Sequence, residues 1–177
     1  MNITTKRLRL YEVALNDIEM IHRLHLFAEV DEFNTLGIPG SIDQTQTLVE
    51  EWVAKQKTSP RIAYIFSVRL IDTNEFVGLI ALNVGKPNYK SAEVWYKFDP
   101  AYWKRGYATE CLKALIEVGF KDLSLHRIEA GCATGNIGSI KVLEKAGMTR
   151  EGCKRKILPI RGEWVDNYFY AILDTDI

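Results

Sequence analysis

The chain has 177 residues, 23 Lys and Arg against 23 Asp and Glu, and no net charge. That length buries a full core in one domain, and the balanced charge leaves no field to draw the chain onto nucleic acid or anionic lipid. No apolar run approaches membrane-spanning length, and Met1–Arg7 lacks the apolar core of a signal peptide. Cys111, Cys132 and Cys153 are widely spaced without a C-x-x-C pair. They argue against a disulfide frame or a structural zinc site and point to a reducing, cytoplasmic setting. His22, His25 and His126 form no ligand set, so no metal is expected.

In chain order, a short strand is predicted over Arg7–Tyr11. Asn16 and Asp17 then start a helix whose apolar stripe is Ile18, Ile21, Leu24 and Phe27. Gly37-Ile-Pro-Gly40 is a loop, and Ser41 to Lys57 is a second helix carrying Leu48, Trp52 and Val53. Two β-segments follow, Ile62–Leu70 and Phe76–Val84, joined by the polar connection Ile71–Glu75. Ala92–Phe98 alternates as a third strand of this group. A long helix with Ala108, Leu112, Leu115, Ile116 and Gly119 on one side comes next. Arg127–Ala133 alternates as another strand. Asn136 and Ser139 open a helix with Ile140, Leu143 and Ala146 on its apolar face, stopped by Gly147. Two strand-like stretches in Met148–Leu173 flank the turn Pro159-Ile-Arg-Gly162. The order predicts a mixed, mostly antiparallel sheet flanked by helices.

The junction Asp99-Pro-Ala-Tyr-Trp-Lys-Arg-Gly-Tyr-Ala-Thr-Glu110 is the most informative stretch. A strand passing through a short basic loop into a helix leaves backbone N–H groups uncovered at the positive end of the helix dipole. Gly106 and Ala108 are small enough to let an anion approach. The stretch lacks the Lys-Ser or Lys-Thr of a nucleotide-binding P-loop and the three spaced glycines of a dinucleotide site. It reads as a cradle for a pyrophosphate, against the plainer reading of a tightly packed turn.

With these residues placed, the chain resembles the GNAT superfamily of acyl-CoA-dependent N-acetyltransferases, in the branch named for RimJ and RimL. Four stretches carry the likeness: Thr5-Lys-Arg-Leu-Arg-Leu10, Trp103–Glu110, Leu125–Ala130 with Asn136–Gly147, and Gly162-Glu-Trp-Val-Asp-Asn-Tyr168. The resemblance implies a single GNAT domain over residues 1–177 with acetyl-CoA as cosubstrate and a primary amine as acceptor, either a protein N-terminus or a small amine. The oligomeric state stays open, a homodimer included. Two departures stand out. Lys104 replaces a frequent glycine, and Leu143 occupies the position where many relatives carry an acid tyrosine.

The resemblance also implies roles. The backbone of Tyr96, Lys97 and Phe98 would pair with the pantetheine arm, and one N–H there would polarise the thioester carbonyl. Lys104, Arg105, Gly106, Tyr107, Ala108 and Thr109 would hold the pyrophosphate. Asn136 would bond the arm, against the plain reading of a helix cap, and Ser139 would steady the departing thiolate. Glu93 is the first candidate for the carboxylate that removes the amine proton, with a solvent-facing residue as its rival reading; Asp166 is second. Cys132 is a candidate nucleophile outweighed by its reading as a buried strand residue. Glu29, Asp31, Glu32, Glu50 and Glu51 are either an acidic rim or solvated ends. Leu143 motivates one alternative, a catalytically silent acyl-CoA sensor on the same fold.

Overall fold

The computed structural model describes residues 1–177. Its strands are β1 (Asn2–Thr4), β2 (Leu8–Glu12), β3 (Ala63–Leu70), β4 (Phe76–Val84), β5 (Ser91–Phe98), β6 (Arg127–Ala133), β7 (Thr149–Ile160) and β8 (Glu163–Leu173). Its helices are α1 (Ile18–His25), α2 (Ala28–Asp31), α3 (Ile42–Gln56), α4 (Tyr107–Lys121) and α5 (Ile137–Lys145). All eight strands join one sheet in the order β1-β2-β3-β4-β5-β6-β8-β7. Only β5 and β6 run parallel, because the chain between them crosses over through α4. This is the expected mixed, mostly antiparallel sheet.

Both faces of β4 are covered, which explains why Phe76–Leu82 is apolar without alternation and buried throughout. Successive residues divide between two layers. Phe66 and Ile80 join Leu112, Leu115 and Leu143 under α4 and α5. Their neighbours Ile65 and Leu79 join Ile21, Leu24, Val49 and Trp52 under α1 and α3. Each fully buried Leu contributes about 1.5–3 kcal/mol. Truncating Leu112 to Ala at the centre of the first layer would cost about 2–5 kcal/mol.

One irregularity shapes the site. The β5–β6 ladder holds only Ser91↔Arg127, Ala92↔Ile128 and Glu93↔Glu129. Beyond Glu93 the two strands part, β5 staying on β4 and β6 on β8. The sheet is therefore open in its middle, at the end where α4 and α5 begin.

Candidate active site

The cleft between β5 and β6 is lined by main chain whose direction follows from strand register. Gly85 N–H donates to Ser91 O and Asp99 N–H to Val77 O, so odd-numbered residues of β5 bond across to β4. The N–H and C=O groups of Val94, Tyr96 and Phe98 face the opening instead. Lys97 is paired with Leu79, and a Cβ on Gly78 would lie 2.4 Å from the Lys97 carbonyl oxygen. Glycine is required at 78 for that approach, and the Lys97 main chain is turned away from the cleft. The Phe98 carbonyl accepts from Trp103 Nε1 at 2.7 Å. Of the three residues expected to pair with the pantetheine arm, Tyr96 keeps both main-chain groups free.

After β5, Asp99 accepts from Ala101 N–H at 2.9 Å and starts a single 3-10 turn. Lys104 and Gly106 then adopt positive φ, 61° and 81°. These two left-handed residues turn the chain sharply into α4. From Lys104 to Thr109, no main-chain N–H donates a hydrogen bond within the chain; the first to do so is Glu110, to Gly106 O at 3.0 Å. Six consecutive donors thus stand at the positive end of a 15-residue helix. A diphosphate fits this array by its chemistry, since such an anion takes several convergent N–H donors.

The loop is braced from behind by Arg7. Its Nη1 donates to Arg105 O at 3.0 Å, and its guanidinium lies 4.5 Å from the Tyr107 ring centroid. Arg7 Nε also donates to Glu110 Oε2 at 2.8 Å, while Thr5 Oγ1 and Arg7 N–H donate to Oε1 at 2.7 and 2.9 Å. Burial alone would raise the Glu110 carboxyl, but these bonds outweigh it and hold the group below the usual carboxylate range.

Across the cleft, Asn136 Oδ1 accepts from Ser139 N–H at 3.0 Å, so Asn136 caps α5. Ser139 Oγ lies 2.7 Å from the Tyr96 hydroxyl, a pair that sequence reading did not anticipate. Burial drives the Tyr96 phenol upward, against the opposing bond to Ser139. Cys132 is buried on β6, and burial raises its thiol to about 11 against an opposing influence of Ser139. It is a buried strand residue, as the plainer reading held. Leu143 is 1% exposed and packs in the core.

Glu93 stands at the last β5–β6 pair, opposite Glu129. The residue as a whole is exposed, as its solvent-facing reading held, but partial burial of the carboxyl, then the charge of Glu129, raises it. Glu129 is bound by Arg127 at 2.6 Å, whereas Glu93 has no ion-pair partner. Asp166 is bound to Lys156 N–H at 2.9 Å in a bulge of β7. Asp31 departs from the expected acidic rim: it is buried on α2, with Oδ2 3.4 Å from Arg161 Nη2.

No group of histidine, cysteine and carboxylate side chains is placed to hold a metal ion. No helix is long and apolar enough to cross a membrane.

Comparison with known proteins places this geometry. The Acetyltransferase (GNAT) domain family matches residues 7–149. The uncharacterized N-acetyltransferase YnaD of Bacillus subtilis (strain 168) is 35% identical over 178 residues, covering 99% of each chain. The L-amino acid N-acetyltransferase AaaT of Escherichia coli (strain K12) is 30% identical over 157 residues, 88% of this chain and 91% of its own. The fold is similar to that of RimL, the ribosomal L7/L12 alpha-N-protein acetyltransferase, in complex with coenzyme A. The TM-score is 0.88 at 20% identity, covering 98% of both chains. This chain thus belongs to the GNAT family of acetyl-CoA-dependent N-acetyltransferases.

Proposed function

We propose that residues 1–177 act as one acetyltransferase domain that moves the acetyl group of acetyl-CoA to a primary amine by direct attack within a ternary complex. The observation that carries this reading is the row of unpartnered amides, Lys104 to Thr109, beside the opening between β5 and β6. Those amides would hold the diphosphate. The free main-chain groups of Tyr96 would receive the pantetheine arm, with its N–H directed at the thioester carbonyl. Such a donor stabilises the developing oxyanion by about 3 kcal/mol.

In this chemistry the thioester supplies an activated acyl group. The amine nitrogen bonds to the carbonyl carbon, the C–S bond breaks, and coenzyme A leaves as a thiolate. Ser139 steadies that thiolate, whose pKa of about 8.5 needs little protonation at neutral pH. Glu93, raised above the ordinary carboxylate range, takes the amine proton through water. A peptide N-terminal α-amine near pKa 7.8 loses its proton at pH 7 for about 1 kcal/mol, against about 4–5 kcal/mol for a lysine side chain. One carboxylate and a water are therefore sufficient for a peptide N-terminus, and more of the work falls to the carboxylate for a more basic amine. Cys132 takes no covalent part, because its thiol stays protonated.

The acceptor is an α-amine, on a protein N-terminus or on a small molecule. The names of RimL and AaaT, one a protein N-terminal enzyme and the other an amino-acid enzyme, support that class. The test is release of free coenzyme A thiol from acetyl-CoA against a panel of amines. Transfer to any α-amine supports the reading. Tight acetyl-CoA binding with no transfer to any amine would replace it with the silent sensor.

A further inference from the structure

On the face of β5 opposite Tyr96 lies a second polar group of residues that neither the cofactor cradle nor the Ser139 pair uses. Lys97 points toward the α1–α3 layer, next to Trp95 and beyond the point where β6 has left the sheet. Its Nζ lies 3.5 Å from His25 Nε2, and no carboxylate lies within ion-pair distance. Burial pulls the Lys97 ammonium down to about 8, while the negative charge of Asp31 acts in the opposite sense. Asp31 is therefore the anion that Lys97 senses without touching. His25 contributes no charge, since burial, then Lys97 and His22, lower it to about 3.

Asp31 is unsatisfied in turn. It is 6% exposed, its Oδ2 reaches only the Arg161 guanidinium, and its Oδ1 is buried with no hydrogen-bond partner. A buried carboxylate oxygen without a donor is costly and uncommon, and calls for a ligand or a water. Arg161 also donates to Ala28 O at 3.2 Å, which fastens the tip of the β7–β8 hairpin onto α2. Just after α2, the Phe33 ring lies 3.3 Å from where a Gly135 Cβ would stand, one residue before the Asn136 cap. The segment bearing Asp31 therefore reaches the same end of the sheet as the first turn of α5, where Ser139 sits.

We infer that Lys97 and Asp31 are the two poles of an acceptor subsite for a free α-amino acid, Lys97 receiving its carboxylate and Asp31 Oδ1 an N–H of its neutral, attacking amine. Two cations, Lys97 and Arg161, face one anion, Asp31, so the group carries one unbalanced positive charge. A free amino acid brings a carboxylate for the buried ammonium and N–H donors for the orphan oxygen. A peptide N-terminus brings the donors but only a neutral carbonyl, leaving Lys97 desolvated without a counter-charge. Trp95, half-buried beside Lys97 on the same face, offers an apolar wall for the amino acid side chain. This specificity rests on the acetyl transfer proposed above.

The experiment compares L-amino acids with their matching amides and with short peptides, at saturating acetyl-CoA, using the full chain. The wild type is expected to show a KM at least about tenfold lower for the acid than for its amide. Lys97→Met should raise the acid's KM about tenfold or more and leave the amide's within about twofold, with kcat little changed. Lys97→Arg should restore most of the preference. Equal use of acid and amide by the wild type overturns the inference, a comparison that needs no variant to fold. Equal effects of Lys97→Met on both acceptors also overturn it. Turnover of peptides but not amino acids removes the subsite and leaves acetyl transfer standing; silence toward every amine removes both.

Discussion

The Tyr96 hydroxyl and Ser139 Oγ, 2.7 Å apart, bridge the opening between β5 and the first turn of α5. Tyr96 is also 3.4 Å from the Ser139 carbonyl oxygen. The serine is thereby fixed from two sides, by the phenol and by the Asn136 cap on its own N–H. One turn further along α5, at the position of the usual acid tyrosine, Leu143 is fully packed and offers no proton. On the proposed reading, the polar chemistry at this end of the cleft falls to Ser139. Tyr96 would then act on the reaction by positioning it.

Ser139→Ala should lower kcat about tenfold with little change in KM for acetyl-CoA, because steadying a thiolate matters in the transition state. Tyr96→Phe should lower kcat about fivefold, the loss of one hydrogen bond of about 1 kcal/mol. The double variant should match Ser139→Ala alone, since both act through one hydroxyl. Rates of thiol release from the four proteins decide this. Multiplying losses would mean that Tyr96 has a role of its own.

Arg7 and Glu110 carry a prediction about the donor. Glu110 is a carboxylate in the first turn of α4, near the amides assigned to a diphosphate. Arg7 neutralises it and also holds the Arg105 carbonyl. In Arg7→Met the carboxylate would repel the anion and the loop would lose its brace. KM for acetyl-CoA should rise about tenfold to a hundredfold, while KM for acetyl-pantetheine, which lacks the diphosphate, should stay nearly constant. Arg7→Met with Glu110→Gln should recover part of the loss. A parallel rise for both donors would mean that Arg7 supports the fold generally.

Much of this site could be read along the chain because its determinants are local. Gly106, Ala108 and the apolar stripe of α4 lie within one strand-to-helix junction, and the alternation of Ala92–Phe98 already assigns Tyr96 and Lys97 to opposite faces. Features that join distant segments left no such trace. Asp31 reads as a surface acid because nothing near it in sequence announces Arg161, its partner in the far hairpin. The Tyr96–Ser139 pair joins residues separated by 43 positions. Strand β1 and helix α2, at three and four residues, are too short to show a period. The bulge between Lys154 and Leu158 breaks the alternation of β7 just where register would have been inferred. The sequence assigns Lys97 a role through its main chain; the pairing partner across the sheet, which sequence does not name, turns that main chain toward β4.

Glu93 gives a prediction about the proton. Its partnerless carboxylate beside Glu129 is a better base than an ordinary glutamate, because burial and the neighbouring charge both favour its protonated form. Glu93→Gln should depress the rate most for the more basic of two acceptors, because more deprotonation work falls on the enzyme. The acid limb of the kcat profile should also flatten in this variant, since the carboxylate must be ionised to accept a proton. Rates for α-amine and lysine-type acceptors between pH 5 and 9 test both points. Equal depression of both, or none, would assign the proton to water alone.

His25 ties stability to acid. In the fold it is neutral, its pKa lowered from 6.5 to about 3 by burial first and then by the charges of Lys97 and His22. In the unfolded chain it regains its ordinary affinity for protons. Between pH 6.5 and 3 the unfolded state therefore binds more protons than the native one. Stability present above pH 6.5 is lost as the pH falls through that window. By pH 4 the loss from this one residue is on the order of 3 kcal/mol. His25→Phe keeps a ring against Trp52, which His25 meets edge-on with centroids 6.3 Å apart, and it removes the titration. Its melting temperature should fall distinctly less than that of the wild type between pH 6.5 and 4. Parallel losses in the two proteins would mean that other groups, the paired carboxylates Glu12 and Glu110 among them, carry the acid sensitivity.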